Sequence, residues 1–272
     1  MAIRDLLIHV DTTPAAGRRL DLAVALAARL EARLIGFFAA ADSHVQGLSS
    51  LTRQEHLLRV VANAEPSFHE RAAAAGVAAE WRSTVPRDDV GVAREVIHAA
   101  RSVDLVVLGQ FDPGSADGAL PPTLVEQTVM RSGRPVLVVP FAGTFNAMAR
   151  RVIIAWNGSR EAARALNDAL PLLADADEVT VLALAPVRPA SPMGEAASTR
   201  IVRHLNDHGI AAKPDRLVFK AREIDPAERL LSHLADCAAD LLVMGAWPRT
   251  GERNSLTTGV LARTTVPMLL SY

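Results

Sequence analysis

The sequence is short of cysteine and of long apolar runs, and each shortage excludes a class of protein. Cys237 is the only cysteine among 272 residues, so no disulfide can form within the chain and a reducing compartment is expected. No apolar run approaches the roughly 18 residues needed to cross a bilayer. The opening MAIRDLLIHVD has no small-residue cleavage pattern, which predicts a first β-strand rather than a signal peptide. We therefore expect a cytoplasmic protein.

An excess of charge of one sign is also missing. The formal net charge is −1, which removes the usual electrostatic argument for nucleic acid or an anionic membrane as a partner. Half of the residues are apolar and 22% are charged, so the chain can bury a core and does not have a disordered composition.

The glycine-rich motifs of two common nucleotide-binding classes are absent as well. No Gly-x4-Gly-Lys-(Ser/Thr) occurs, and neither Lys213 nor Lys220 follows a glycine loop, which excludes a P-loop NTPase. The turns after the first strand of each half read DTTPAAG and NGSREAA rather than GxGxxG. A dinucleotide-binding Rossmann site therefore has little support.

What the chain does contain is an internal repeat. RDLLIHVDTTPAAGRRLDLAVALAARL, which begins at Arg4, resembles RRVIIAWNGSREAARALNDALPLLA, which begins at Arg150. Further along, DLVVLG and GRPVLVVP of the first copy match DLLVMG and TVPMLLSY of the second. The repeat predicts two domains, at residues 1–143 and 150–272.

Each copy alternates short apolar strands with helical stretches. The strands are unbroken apolar runs, which are typical of a parallel sheet covered on both faces. They are predicted near residues 4–10, 34–40, 78–84, 104–109 and 135–140, and again near 151–156, 179–185, 213–219, 240–245 and 266–271. The expected fold class is α/β, with two tandem doubly wound parallel-sheet domains whose ligands lie outside the carboxyl ends of the strands.

This order of strand, acidic turn, helix and DLVVLG or DLLVMG resembles the tandem-domain bacterial universal stress proteins over essentially the whole chain. AWNGSREAARALNDALPLL and RSGRPVLVVPFAG carry the resemblance most closely. It implies domains of the adenine nucleotide alpha hydrolase-like, universal stress protein type that pair through their last strands into an intrachain pseudo-dimer. Many members bind ATP through Gly-x2-Gly-x9-Gly-(Ser/Thr) after the fourth strand, together with an aspartate that ends the first strand.

The second copy keeps part of this ATP-binding pattern within VMGAWPRTGERNSLTTGV. Gly245 matches the first glycine, but Pro248 stands at the position of the second and Thr258 at that of the third. Gly259 takes the Ser/Thr position, or acts as a displaced third glycine, and Asn157 replaces the aspartate. Because proline fixes φ and removes an N–H donor, the resemblance marks Asn157, Gly245 and Gly259 as a weak nucleotide-binding site.

The first copy departs further from the pattern. Asp11 and Gly109 match it, but Asp112, Pro122 and Thr123 occupy the next three positions. A carboxylate at position 112 would repel a triphosphate. Asp11 and Gly109 are therefore interpreted as the remnant of a nucleotide-binding site.

The other candidate residues favour structural roles. His204 and His208 are spaced i, i+4 on one helix face, but no third ligand stands nearby, so a solvated face is expected rather than a metal site. His9 is predicted to be a hydrogen-bonded structural histidine, Ser159 a helix cap and Cys237 a core residue. No nucleophile–base set or carboxylate pair can be assembled, so we expect no catalytic residues and no metal.

Three functions remain open. The first is a universal stress protein with a non-catalytic stress-response or regulatory role, degenerate nucleotide-binding loops and no cofactor, ATP binding weakly or not at all. The alternative is an adenine-nucleotide-binding sensor or slow ATPase that uses the second domain. A hydrolase or transferase working from a cleft between domains is the third, and the missing nucleophile–base set counts against it. The expected partners are the two domains themselves and a second copy in a homodimer, with any further protein partner unknown.

Overall fold

The structure is a computed structural model, and it describes residues 2–41, 50–115, 120–145, 148–186, 192–219, 225–246 and 256–272. Within these ranges the chain forms ten strands and eight helices that alternate for most of its length. Contacts between Cα atoms divide the chain into a first unit, Ala2–Asn146, and a second unit that contains Ala147–Tyr272. The predicted domain limits at 143 and 150 remain predictions.

The first unit contains strands β1 to β5 and helices α1 to α4. In chain order they are β1 (Asp5–Val10), α1 (Ala16–Leu30), β2 (Arg33–Ala39), α2 (Ser50–Ala74), β3 (Ala79–Thr84), α3 (Asp89–Ala100), β4 (Leu105–Gly109), α4 (Leu124–Ser132) and β5 (Val136–Val139). The strand order is β3-β2-β1-β4-β5, and each described pairing is parallel. Leu7 of β1 lies opposite Ile35 on one side and Val106 on the other, and all three are fully buried.

The second unit repeats this plan. Its elements are β6 (Arg151–Trp156), α5 (Arg160–Leu173), β7 (Glu178–Pro186), α6 (Pro192–Asp207), β8 (Ala212–Phe219), α7 (Pro226–Asp236), β9 (Leu241–Gly245), α8 (Leu256–Arg263) and β10 (Met268–Ser271). The strand order is β8-β7-β6-β9-β10, again with parallel pairings. Ile154 lies opposite Val181 and Val243, as Leu7 does between its own neighbours.

All ten strands that the sequence predicts are present, with bounds within two residues of the prediction. The prediction succeeded because buried parallel strands carry continuous apolar runs, which stand out from the amphipathic helices between them. The α/β class with two doubly wound parallel sheets is therefore confirmed.

In both units an aspartate at the start of the central strands accepts hydrogen bonds from two backbone N–H groups. Asp104 precedes β4, and its Oδ2 accepts hydrogen bonds from the backbone N–H groups of Arg4 and Asp5, at 2.8 and 3.1 Å. Asp240 precedes β9 and accepts from the N–H groups of Arg150 and Arg151 at 3.0 Å. A charged acceptor bound to two N–H groups holds the beginning of each first strand in register with its neighbour.

The prediction that Cys237 lies in the core is wrong. Cys237 is exposed and forms the C-cap of α7, so it stands at the end of the helix rather than on its apolar face. Its Sγ lies 3.6 Å from Nε2 of His233, one turn earlier. Partial burial, together with the negative charges of Asp215 and Glu178, raises the pKa of the Cys237 thiol. The thiol is consequently less reactive than an ordinary exposed cysteine.

In the part of the chain that the structure describes, no helix combines the length and the hydrophobicity needed to cross a membrane.

Candidate functional site

Each sheet has one point where the strand order reverses, and the predicted site residues cluster there. The order β3-β2-β1-β4-β5 runs in opposite directions from β1 and β4, and ligands of open α/β sheets bind outside the carboxyl ends of strands at such a point. Asp11 follows β1 directly and Gly109 ends β4. Asn157 follows β6 and Gly245 ends β9 in the same way. The structure thus brings these four residues to the reversal points of their own units.

In the first unit, the side chain of Arg19 lies at this point. Arg19 belongs to the buried face of α1, and its side chain is 2% exposed. Its Nη2 donates a short hydrogen bond to Oδ2 of Asp11, and its Nε donates to the backbone oxygen of His9 at 3.2 Å. A Cβ at Gly109 would collide with Nη1 of Arg19 and would lie 3.1 Å from its Cζ. The guanidinium therefore covers the glycine and neutralises the aspartate together.

Both carboxylate oxygens of Asp11 accept hydrogen bonds from within the chain. Its Oδ1 accepts from the backbone N–H of Thr13 at 2.8 Å and from the Thr13 hydroxyl at 2.5 Å, while its Oδ2 accepts from Arg19. The side chain of Asp11 is 3% exposed. The aspartate that sequence reasoning assigned to nucleotide binding is an Asx-turn residue and the partner of a buried arginine.

His9 completes a buried polar cluster with Asp11 and Arg19. Its Nε2 donates to the backbone oxygen of Ala39 at 2.7 Å, and its side chain is fully buried. The hydrogen-bonded structural role predicted for this histidine is confirmed. Its Nδ1 lies 3.7 Å from Oδ2 of Asp11 and has no hydrogen-bond partner among the described residues. Burial lowers the pKa of His9; Asp11 opposes the shift and Arg19 adds to it.

The lowered pKa makes acid sensitivity an expected property of the first unit. His9 stays neutral in the folded chain below pH 6.5, its ordinary pKa, whereas the unfolded chain takes up a proton there. The unfolded state then binds more protons, so stability is lost as the pH falls through this range, by at most about 1.4 kcal/mol per pH unit for one group. We expect His9→Gln to flatten the dependence of unfolding free energy on pH between 7 and 5, measured by denaturant titration.

The matched control for this experiment is His69→Gln. His69 is 45% exposed and lies on the surface of α2, so its replacement removes a histidine without disturbing a buried cluster. Equal slopes for the His9 variant and the native chain would contradict the assignment of a neutral, buried His9.

In the second unit, the N-terminus of α5 lies directly against Gly245. A Cβ at Gly245 would collide with the backbone nitrogen of Ala162 and would lie 2.5 Å from the carbonyl carbon of Glu161. Ala165 stands where the repeat places Arg19, and it is fully buried. Gly245 therefore allows a helix backbone to approach the strand, and no side chain separates them as Arg19 separates α1 from Gly109.

The first turn of α5 already holds two acceptors of its own. Ser159 is the N-cap, and its hydroxyl accepts from the N–H of Ala162 at 3.0 Å, which confirms the predicted cap. Glu161 is 7% exposed. A hydrogen bond from its own backbone N–H lowers its pKa, helped by Arg160 and Ser159. A carboxylate at a helix N-terminus takes the place that favours an external anion.

The remaining site residues of the second unit lie apart or outside the described ranges. Asn157 is exposed, and its Oδ1 accepts from the N–H of Ser159 at 3.0 Å. Gly259 lies inside α8, where a Cβ would come within 2.9 Å of Cβ of Ala227 at the start of α7. Gly259 therefore allows α7 and α8 to pack closely. Pro248 and Arg249, on which the loop prediction depended, lie outside the described residues.

Sequence reasoning missed Arg19 and Glu161, the two charged side chains that occupy these reversal points. One signal was present in each case. Arg19 lies three residues before Leu22 and four before Ala23, both apolar, so its position belongs to the buried face of an amphipathic helix. Glu161 is an acidic residue in a first helical turn, after a Ser cap.

No metal site is found among the described residues, since no three or more His, Cys, Asp or Glu side chains are arranged to hold an ion. The rings of His204 and His208 pack edge to face, with centroids 4.7 Å apart.

Solved structures of similar fold match nearly the whole chain. A universal stress protein from Archaeoglobus fulgidus DSM 4304 is similar with a TM-score of 0.76 at 17% identity, covering 98% of this chain and 97% of that one. A functionally unknown protein from Pseudomonas aeruginosa PAO1 is similar with a TM-score of 0.58 at 14% identity, covering 99% and 92%. At such identities the likeness shows the fold alone. Comparison with curated proteins gives no significant match.

Comparison with family models identifies the second half directly. Residues 148–271 match the model of the Universal stress protein family, and these residues form nearly all of the second unit. The resemblance drawn from the strand order and from AWNGSREAARALNDALPLL is confirmed by this match and by the similar folds. In its second unit the chain carries a domain of the Universal stress protein family.

Proposed function

We propose that the chain is a non-catalytic universal stress protein with a stress-response or regulatory role in the cytoplasm, and that neither unit binds ATP tightly. The observation that carries the proposal is the internal occupancy of both reversal points. In the first unit the guanidinium of Arg19 donates a hydrogen bond to Asp11 and covers Gly109. In the second unit the first turn of α5 lies on Gly245 and is capped by its own Ser159 and Glu161.

The loop chemistry supports weak binding at most. Pro248 removes one N–H donor from the stretch that follows β9, and Asn157 supplies no carboxylate. One hydrogen bond to a charged group is worth roughly 1.5–3 kcal/mol, so one lost donor weakens a phosphate site by roughly ten- to a hundredfold. Asn157 and Pro248 affect different ends of a nucleotide, so the two losses are expected to add.

Titration calorimetry with ATP and magnesium tests the proposal. The native chain is expected to give no binding heat up to about 1 mM ATP. Pro248→Gly combined with Thr258→Gly is expected to gain at most weak affinity, because the two glycines restore the loop but leave the first turn of α5 on Gly245. The matched control makes the same exchanges at the corresponding positions of the first unit, Asp112→Gly with Pro122→Gly, and is expected to gain none because Arg19 remains in place. A micromolar dissociation constant in the native chain, abolished by Gly259→Asp, would overturn the proposal.

The second candidate function is an adenine-nucleotide-binding sensor or slow ATPase that uses the second unit. Two observations favour that unit over the first: the family match covers residues 148–271, and Ala165 replaces the arginine that fills the other reversal point. Release of phosphate from ATP by the native chain would support this candidate, if it is lost in a Gly259→Asp variant that keeps the thermal midpoint of the native chain. Absence of phosphate release together with absent binding leaves the non-catalytic role.

We also propose that the two units form an intrachain pseudo-dimer through their last strands, and that a second chain adds to it as a homodimer. Within its own unit each of these apolar strands, β5 and β10, stands at the end of the strand order, and an apolar edge strand invites pairing. Amides of β5 that face away from β4 are expected to be as protected from hydrogen exchange as those that face it. Rapid exchange there would contradict the pairing, and sedimentation of only a 29.0 kDa species at high concentration would contradict the homodimer.

A further inference from the structure

We propose that Arg19 is an internal occupant of the reversal point in the first unit, a side chain that fills a place shaped for a planar cation and thereby closes this unit to external ligands. The inference deepens the proposed function, in which the first unit holds no nucleotide, because it names the group that prevents binding. The group that obstructs this unit lies in α1 rather than in the loop after β4, so it is distinct from the loss of the loop glycines.

The contacts of the guanidinium define the place as one for a planar cation. One edge faces acceptors, because Nη2 donates to the Asp11 carboxylate and Nε donates to the His9 backbone oxygen. Nη1 and Cζ cover Gly109, where the absence of a Cβ leaves room for them. Leu120 limits the place further, since its Cδ1 would lie 2.7 Å from a Cβ at Gly109. Two acceptors beside an apolar wall and a bare glycine suit a guanidinium better than a phosphate.

The charge of the place points to the same occupant. Asp11 is the negative group of the cluster, and it is 3% exposed. Burial keeps His9 uncharged by lowering its pKa, so this neighbour adds no positive charge. An anionic ligand that displaced Arg19 would therefore meet a buried carboxylate without compensation, which is strongly unfavourable. A ligand of any charge that is to occupy the place of the guanidinium must first separate Arg19 from Asp11.

The second unit is the internal comparison for this assignment. There the repeat places Asn157 at the aspartate and Ala165 at the arginine, so both members of the pair are absent together. The helix backbone itself lies on Gly245 instead. The arginine and the aspartate thus occur as a pair in the first unit. The space above the glycine is filled by a side chain in the first unit and by helix backbone in the second.

Chemical rescue of Arg19→Ala in the full chain tests the proposal. The variant removes the guanidinium but keeps Asp11 and the His9 carbonyl, and its thermal midpoint is expected to fall by about 10 °C. Methylguanidinium at 10 mM is expected to raise that midpoint by about 2 °C or more, because it binds the folded state. Methylammonium at the same concentration is expected to have no such effect. The native chain and Arg18→Ala, an exposed neighbour that donates to Phe141 O, are expected to be insensitive to both cations.

Two results would overturn the proposal. One is a fall in the midpoint of Arg19→Ala no greater than that of Arg18→Ala, and the other is equal stabilisation by methylammonium and methylguanidinium. Failure of rescue would not affect the proposed function, because ATP titration of the native chain is an independent measurement.

A second variant covers the case in which Arg19→Ala does not fold. Arg19→Ala combined with Asp11→Asn leaves no buried unpaired charge, so it is expected to fold and to show no response to methylguanidinium. Its crystal structure is expected to retain a space above Gly109 that solvent fills. Collapse of α1 onto Gly109, in the way that α5 lies on Gly245, would overturn the claim that the place exists apart from the arginine.

Discussion

Replacement of Asp11 by alanine is expected to destabilise the chain by about 3–5 kcal/mol, because the substitution leaves the Arg19 guanidinium buried without its carboxylate. The two side chains are 3% and 2% exposed, so water cannot replace the lost partner. Asp11→Ala also removes the acceptor for the N–H and hydroxyl of Thr13. Chemical denaturation followed by circular dichroism measures the loss directly.

The matched control for this prediction is Asp21→Ala on the same helix as Arg19. Asp21 forms an ion pair with Arg71 at 2.7 Å, but its side chain is 65% exposed, and such surface pairs contribute about 0–1 kcal/mol. Asp11→Ala combined with Arg19→Met is expected to recover most of the loss, since two apolar replacements leave no buried charge. If Asp11→Ala costs no more than Asp21→Ala, the buried pair does not hold the reversal point together.

Replacement of Gly245 by alanine is expected to cost roughly 3 kcal/mol or more, at the upper end of the cost of overpacking. The methyl group would meet backbone atoms of Ala162 and Glu161, and backbone at the first turn of a helix cannot move aside as a flexible side chain can. The helix would have to shift from β9, which disturbs the cap at Ser159. Thermal and denaturant unfolding of the variant test this expectation.

Gly17→Ala provides the comparison, because its methyl group would have only the Arg71 guanidinium within reach, at 3.9 Å. This exchange in the first turn of α1 is expected to be neutral or slightly stabilising. If Gly245→Ala were as stable as the native chain but changed its response to ATP, then Gly245 would serve a ligand rather than helix packing, and the proposed function would have to be revised.

Both units keep a glycine of the ATP-binding pattern although they are proposed not to bind ATP tightly. Gly109 accommodates an arginine and Gly245 accommodates a helix backbone. In both cases the close approach that only glycine permits serves contacts within the chain. The proposed function therefore attributes the retained glycines to packing.

The sequence by itself determined the two copies, the ten strands and the parallel α/β class. Buried parallel strands are continuous apolar runs, and a repeat makes each assignment twice, so the residues that encode these features are close together along the chain. The caps were also readable, since Ser159 acts on Ala162 within a single turn. Local features of this kind depend on neighbours a few residues away.

Only the tertiary structure decided how the reversal points are filled. Asp11 meets Arg19 from another element, and Arg19 meets Gly109 from a third. The choice between an external ligand and an internal arginine depends on side-chain direction and on how closely a helix approaches its sheet, and neither is encoded in periodicity. For the same reason the apolar surroundings of Cys237 in the sequence predicted a core residue, whereas the end of α7 leaves it exposed. Periodicity specifies which face of an element is buried, and packing between elements specifies what each buried group contacts.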